Sequence, residues 1–255
     1  MPEAPSGARF DRIIETAMPH HSAWRRDSAK AWRMCGKFTT RASWTGIIDY
    51  IWREESPDLD DDRRLTLRVM GDLPVILFDH VNGGRRVVPM RWGFPHPMDP
   101  RRPQPIHARA ETVDSVSAFA DAFHDGQRGI VLMESFNEAP DEPGPARQHV
   151  ITPDAPLAAA VIWRRFTAGD RPLFACVLVT VPANALIAAL PAGRMPAFLA
   201  PEDWAAWLGE NPADAGAVKA CLKTMGSARW TIWPQERPKP ARRAKPTVAD
   251  PGGLF

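Results

Sequence analysis

The chain has 255 residues, 44% hydrophobic and 24% charged, with a formal net charge of +2. That balance is ordinary for a soluble globular protein and excludes disorder throughout. No apolar run approaches the roughly 18 to 20 residues that span a bilayer, and residues 1–33 lack the apolar stretch of a secretory signal, so a cytoplasmic protein is expected.

The distribution of charge is more informative than its sum. Residues 1–33 carry six bases and four acids and residues 234–255 five and two, which leaves residues 34–233 at −3. A nucleic-acid reading therefore needs a local basic patch, because no field of the whole domain would attract phosphate. The bases are 26 Arg against 6 Lys, which suits bidentate phosphate contacts and equally suits a compositional bias.

In chain order, residues 1–33 read as an N-terminal extension, either a propeptide or a stretch upstream of a true start at Met34. Ser43 can cap a helix with Trp44, Ile47, Ile48 and Ile51 on one face, and six acids between Glu54 and Asp62 make an acidic loop. Strands are predicted at Pro74–Phe78 and Arg85–Met90, joined by the hairpin signal Asn82-Gly83-Gly84. The Pro-rich stretch Pro95–Pro105 must be loop. A short helix from Asp114 carries Val116, Phe119 and Phe123, and Gly129–Met133 reads as a buried strand.

Further strands are predicted at His149–Thr152, Ala159–Phe166, Phe174–Val181 and Arg229–Trp233, with helices at Asn184–Leu190, Pro201–Leu208 and Ala213–Lys223. The tail from Pro234 is rich in Pro, Arg and Lys, and too poor in apolar residues to order itself. Strands and helices alternate without regular βαβ units or Gly-rich phosphate loops. The expected fold is α+β, one domain over residues 34–233 with antiparallel, barrel-like sheets flanked by helices.

Three cysteines, at 35, 176 and 221, have no second Cys or His at ligand spacing, so neither a disulfide framework nor a metal is expected, and nothing suggests an organic cofactor. Cys176 lies in an apolar run and Cys221 in a helical pattern, as packing residues do. Cys35 follows Met34. If it becomes N-terminal, an α-amine with pKa near 8 stands beside a thiol near 8.5. That 1,2-aminothiol condenses with an aldehyde to an imine, which the sulfur closes into a thiazolidine. The alternative is a small buried Cys in a strand.

Three further segments invite chemistry. Arg91-Trp92 at a glycine turn can pair a phosphate with a stacked base, a contact worth on the order of 1 to 3 kcal/mol, or Trp92 can be core. In an extended segment His107, Arg109 and Glu111 share one side, and Arg109 with Glu111 can be a plain ion pair. Glu138, at the end of an apolar strand, suits proton transfer because desolvation raises a carboxyl pKa, or it decorates a surface loop.

In order and spacing these segments resemble the SRAP family, the SOS-response-associated peptidases that capture abasic sites covalently in single-stranded DNA. Met34-Cys35-Gly36-Lys37-Phe38 is similar to the family's Met-Cys-Gly-Arg-Phe opening. Trp92-Gly93 looks like its Trp-Gly segment, and His107 to Thr112 its Asn-Ala-Arg-x-Glu-Thr. Phe136-Asn137-Glu138-Ala139 resembles its Phe-x-Glu-Trp, and Ala192-Gly193-Arg194-Met195-Pro196 its late His-Asp-Arg-x-Pro.

The resemblance implies that Cys35 crosslinks and that Glu138 moves protons. It further implies that Arg109 and Arg194 hold phosphates, with Arg91 beside them, while Trp92 stacks or wedges against bases. The partner would be single-stranded DNA carrying abasic sites, bound by a monomer in the cytoplasm at the nucleoid. Removal of the residues before Cys35 would be the peptidase activity. The departures are specific: His107 stands where the family has Asn, Ala139 for Trp, Ala192 for the late His, and Leu67-Arg68-Val69-Met70 for Asn-x-Ala-Pro. His107 can supply an imidazole near the same place or be a structural histidine. Two other readings stay open, a DNA-binding relative with weakened catalysis and an N-terminal-nucleophile amidohydrolase attacking through Cys35.

Overall fold

A computed structural model describes residues 36–41, 64–95, 105–138, 148–168, 170–190, 193–228 and 230–235. All belong to one unit of the chain, Arg33–Phe255. The helix expected after Ser43, the acidic loop, Cys35, Ala139 and Ala192 lie outside the described residues.

Thirteen strands form two sheets among the described residues. They are β1 (Lys37–Arg41), β2 (Arg64–Arg68), β3 (Asp72–Asp79), β4 (Gly84–Trp92), β5 (His107–Arg109), β6 (Arg128–Met133), β7 (Ser135–Glu138), β8 (Gln148–Thr152), β9 (Leu157–Ala168), β10 (Arg171–Pro182), β11 (Arg194–Pro196), β12 (Phe198–Leu199) and β13 (Thr231–Gln235). Four short helices accompany them: α1 (Ala120–His124), α2 (Ala185–Ala188), α3 (Trp204–Leu208) and α4 (Ala215–Ala220).

The larger sheet closes on itself. Strand β10 pairs with β4, β4 with β3, β3 with β6, β6 with β9, and β9 returns to β10, which makes a five-stranded barrel. All these pairs are antiparallel except β4 with β10. Strand β5 lies parallel to β10 beyond β4, while β11 and β12 extend β10 and β9. The second sheet is open, ordered β13-β8-β7-β1-β2 and antiparallel throughout. The α+β expectation with barrel-like antiparallel sheets holds.

Local chemistry explains the elements. Gly83 turns the β3–β4 hairpin at φ 69°, where a side chain would be strained. Asp79 fixes the same turn by accepting from the amides of Val81 and Asn82 at 2.9 and 3.3 Å and from Asn82 Nδ2 at 2.9 Å. Asn184 and Asp214 cap α2 and α4 by accepting from the amides of Ile187 and Ala217. Arg128, on the barrel, donates to the carbonyls of Phe123 in α1 and Trp207 in α3, both at 2.6 Å, so one guanidinium satisfies the C-terminal ends of two helices.

The predicted strands from Pro74 onward all form, several of them longer. The helices are shorter than their periodicity suggests: the stretch from Asp114 is a run of turns until Ala120. Pro201–Asp203 is a 3-10 turn leading into α3. The basic tail was expected to begin at Pro234, yet β13 runs through Gln235, because its register with β8 carries on to Gln148. Cys176 and Cys221 are buried, as expected of packing residues, and burial pushes the Cys176 thiol far up.

Two outcomes follow from this packing. At Gly129 a Cβ would meet the Ile76 carbonyl at 2.9 Å and the Val75 side chain at 2.6 Å, so Gly129→Ala should cost about 1 to 3 kcal/mol and lower the melting temperature by several degrees. The Asn82 side chain, with the turn amides and Arg86, holds the Asp79 carboxyl below the usual carboxylate range. A carboxyl so depressed stabilises the fold above its unfolded value, and the contribution is lost as pH falls below about 4. Urea midpoints at pH 7 and pH 3 should therefore diverge less in Asp79→Asn than in the native chain.

Candidate functional site

The site is built on β7, Ser135-Phe136-Asn137-Glu138, whose four residues are all buried. It is the central strand of the open sheet, with β1 on one side and β8 on the other. Phe38 pairs with Phe136, so these two share the interior face, and Glu138, two residues on, points the same way. The β1–β7 pairing ends at Phe38 and Phe136, two residues short of Glu138. Across β7, Glu138 pairs with His149, and His149 with Pro234. One row across three strands thus reads Glu138, His149, Pro234. Glu138 is 1% exposed and is no surface residue.

The Trp92 ring lies 5.5 Å from that of Phe38 and 6.3 Å, edge-on, from that of His107. It is 0% exposed, and its Nε1 donates to the Ile106 carbonyl at 3.0 Å. The expectation that Trp92 stacks on or wedges between bases is corrected by this burial: no face of the indole is open to a ligand, and its polar atom is already satisfied. His107, half-buried, is held by Trp92 at the start of β5. Among the described residues, Phe38, Trp92 and His107 thus connect the start of β1 to β5.

The arginines differ. Arg109 pairs in register with Thr180 and is exposed. Arg194 is largely buried, and its guanidinium forks onto Glu111 at 2.8 and 2.6 Å while donating to the hydroxyl and carbonyl of Thr180 at 3.1 and 2.6 Å. That pairing holds the Glu111 carboxyl below its usual range. The simple Arg109–Glu111 pair considered from spacing is replaced by Arg194–Glu111, since the strand ends at Arg109 and the chain turns. A phosphate at Arg194 would have to displace Glu111. Arg91, half-buried, approaches the sulfur of Met70 at 3.2 Å.

Sequence reasoning missed three participants. Thr180, buried inside an apolar strand, joins β5 to Arg194; its signal was a lone hydroxyl in an apolar run. Met70 adopts φ 69°, rare for a residue with a side chain, and is 43% exposed. Its amide donates to the Trp92 carbonyl, and the Val69 amide to that of Gly36 at 3.2 Å, so the strained turn buttresses the start of β1. His149 was read as a strand residue only. Its Nδ1 is buried with no hydrogen-bond partner.

Among the described residues no cluster of three or more His, Cys, Asp or Glu is placed to hold a metal, and no helix is long and apolar enough to cross a membrane. The arrangement offers a buried carboxylate on β7 with an imidazole opposite it on β8, and an exposed cation, Arg109, on β5 of the other sheet.

Solved structures share this fold. A protein from Bacteroides thetaiotaomicron superposes with TM-score 0.63 at 17% identity, covering 78% of this chain and 91% of that one. One from Bordetella bronchiseptica gives 0.63 at 18%, covering 80% and 100%. A phage-related protein from the same organism gives 0.59 at 18%, covering 80% and 95%. No curated protein matches the chain. The model of the family described as SOS response associated peptidase (SRAP) matches residues 34–237, beginning at the Met before Cys35 and taking in both sheets. The chain belongs to the SRAP family.

Proposed function

We propose that this protein binds single-stranded DNA in the response to DNA damage and captures the aldehyde of an abasic site through Cys35. The reading requires a free α-amine at Cys35, obtained by translation from Met34 with removal of that Met, or by hydrolysis of the Met34–Cys35 bond. The amine adds to the aldehyde carbon, the carbinolamine loses water to an imine, and the thiol adds to the imine carbon. The thiol proton passes to nitrogen, and a thiazolidine links protein to DNA.

Glu138 is the group for the proton transfers. It accepts a proton from the attacking nitrogen and returns it to the departing hydroxyl, and its burial keeps bulk water from competing for that proton. The observation that carries the reading is its place, buried on the same face of β7 as Phe136, whose partner in register, Phe38, stands three residues after Cys35. Arg109 supplies an exposed cation for the phosphate backbone, with His107 between it and the indole.

Intact mass of the expressed protein, before and after incubation with an oligonucleotide bearing one abasic site, tests this directly. A chain starting at Cys35 with an adduct that disappears in Cys35→Ala, while binding to the oligonucleotide persists, is the expected result. Glu138→Gln should slow adduct formation by about 10²- to 10⁴-fold. An adduct that survives in Cys35→Ala, or a chain still starting at Met1 that forms none, overturns covalent capture.

Arg109→Ala should weaken binding by an amount that shrinks as salt rises, lowering the slope of log affinity against log salt by about 0.7. Fluorescence anisotropy of a labelled single strand between 50 and 200 mM salt reads it.

A further inference from the structure

We propose that Arg194 is a positioning residue for Arg109: by taking Glu111 to itself, it leaves the Arg109 guanidinium to the DNA backbone. The inference deepens the reading of Arg109 as a backbone contact and rests on it.

The fold keeps Arg109 and Glu111 together. Strand β5 is three residues long, and Arg109 is its last. Thr180, its partner in register, donates its hydroxyl to the Ala108 carbonyl at 3.2 Å and accepts the Ala110 amide on its own carbonyl at 2.9 Å, so β10 grips the chain on both sides of Arg109. Lys219 of α4 donates to the Glu111 carbonyl at 3.0 Å and to both oxygens of the Asp114 carboxylate at 2.7 Å. The turn after Arg109 is therefore pinned, and the exposed cation cannot drift from the acid two residues on.

Arg194 decides which cation that acid takes. Thr180 pairs with Arg109 on one side and with Pro196 of β11 on the other, so Arg194, opposite Pro182, lies across β10 from Glu111. Its guanidinium spans the gap, donating to the hydroxyl and carbonyl of Thr180 and forking onto both Glu111 oxygens, which commits four of its five N–H groups. Its side chain is 14% exposed, against 47% for that of Glu111. The fork holds the Glu111 carboxyl below its usual range, and the charge of Arg109 acts in the same direction.

Without the Arg194 charge the carboxylate remains, and Arg109 is the guanidinium beside it. An arginine forked onto a carboxylate offers a phosphate little, because the phosphate must displace a charge-assisted partner. The same chemistry argues against Glu111 as a stand-in that DNA pushes off Arg194. A phosphate entering there would leave the carboxylate unpaired beside it, two like charges in contact.

Fluorescence anisotropy of a labelled, undamaged single strand with the full chain reads the arrangement as the slope of log affinity against log salt. Arg194→Gln keeps a donor for Thr180 and loses the charge. It should lower the slope by about 0.7, as Arg109→Ala does, and the two changes together should lower it no further. Arg194→Lys, which restores a cation to Glu111, should return the native slope, and so should Glu111→Gln added to Arg194→Gln. Glu111→Gln alone should not steepen the slope.

A double variant of Arg109→Ala and Arg194→Gln that falls by about 1.4 means that Arg194 holds a phosphate of its own and overturns the proposal. A native slope in Arg194→Gln, or one that Glu111→Gln does not rescue, overturns it too. Melting curves report whether each variant folds. If Arg194→Gln does not, Glu111→Gln alone still decides, because loss of a carboxylate that DNA must displace would raise the slope by about 0.7. An unaltered slope in Arg109→Ala removes the backbone reading and this role with it. If the slopes behave as expected while no adduct forms with an abasic oligonucleotide, covalent capture fails and the positioning stands.

Discussion

The indole of Trp92, at the end of β4, donates to the Ile106 carbonyl just ahead of β5 and packs against Phe38 of the other sheet. Truncating a buried ring of that size typically costs 3 to 5 kcal/mol, but here the consequence is also geometric. The Trp92 backbone bonds both Met70 and Gly71, so the same residue shapes the turn after β2. That turn, through Val69, holds the Gly36 carbonyl. On its other edge the ring seats His107. The position of Gly36, the imidazole of His107 and the junction of two sheets therefore depend on a single residue, through its backbone for the first and its ring for the other two.

Much of the barrel was legible in the residues. Phe174 to Val181 and Ala159 to Phe166 are apolar, β-branched runs, and Asn82-Gly83-Gly84 carries its hairpin geometry in its composition. The open sheet was harder to see. Strand β2 reads Arg-Leu-Thr-Leu-Arg, largely exposed, with a pattern that fits an edge and equally fits a loop. Strand β7 is four residues with Asn and Glu among them, and its burial comes from neighbours at distant points in the chain.

The same division runs through the site. Cys35, Glu138 and His107 were singled out by short motifs at characteristic spacing, and of these Glu138 is found buried in a strand and His107 half-buried beside Trp92. That Trp92 is core, and that Arg194 is spoken for by Glu111, depended on which strand lies beside which, and no local pattern encodes that. Thr180 shows why: one hydroxyl in an apolar run looks like tolerated variation until β5 and β11 are laid on either side of it. His149 escaped notice for a related reason, since its significance is a cross-strand partner and strand pairing is the part of a β-fold that sequence states least directly.

The closure of the barrel contrasts with the open sheet, whose outermost strands among the described residues are β2 and β13. An exposed strand edge is a template onto which a second copy can add its own strand, the first step of ordered aggregation. Both ends here are blunted by their residues. Strand β2 is only five residues long and largely exposed, with Arg64 held to Glu134 at 2.7 Å at one end and Arg68 at the other, a short charged edge that offers a second copy little to pair with. Strand β13 carries Pro234, next to its last residue Gln235, which breaks the run of donors a partner would need. A protein whose proposed work is to remain at one place on DNA has an evident use for surfaces that refuse their own kind.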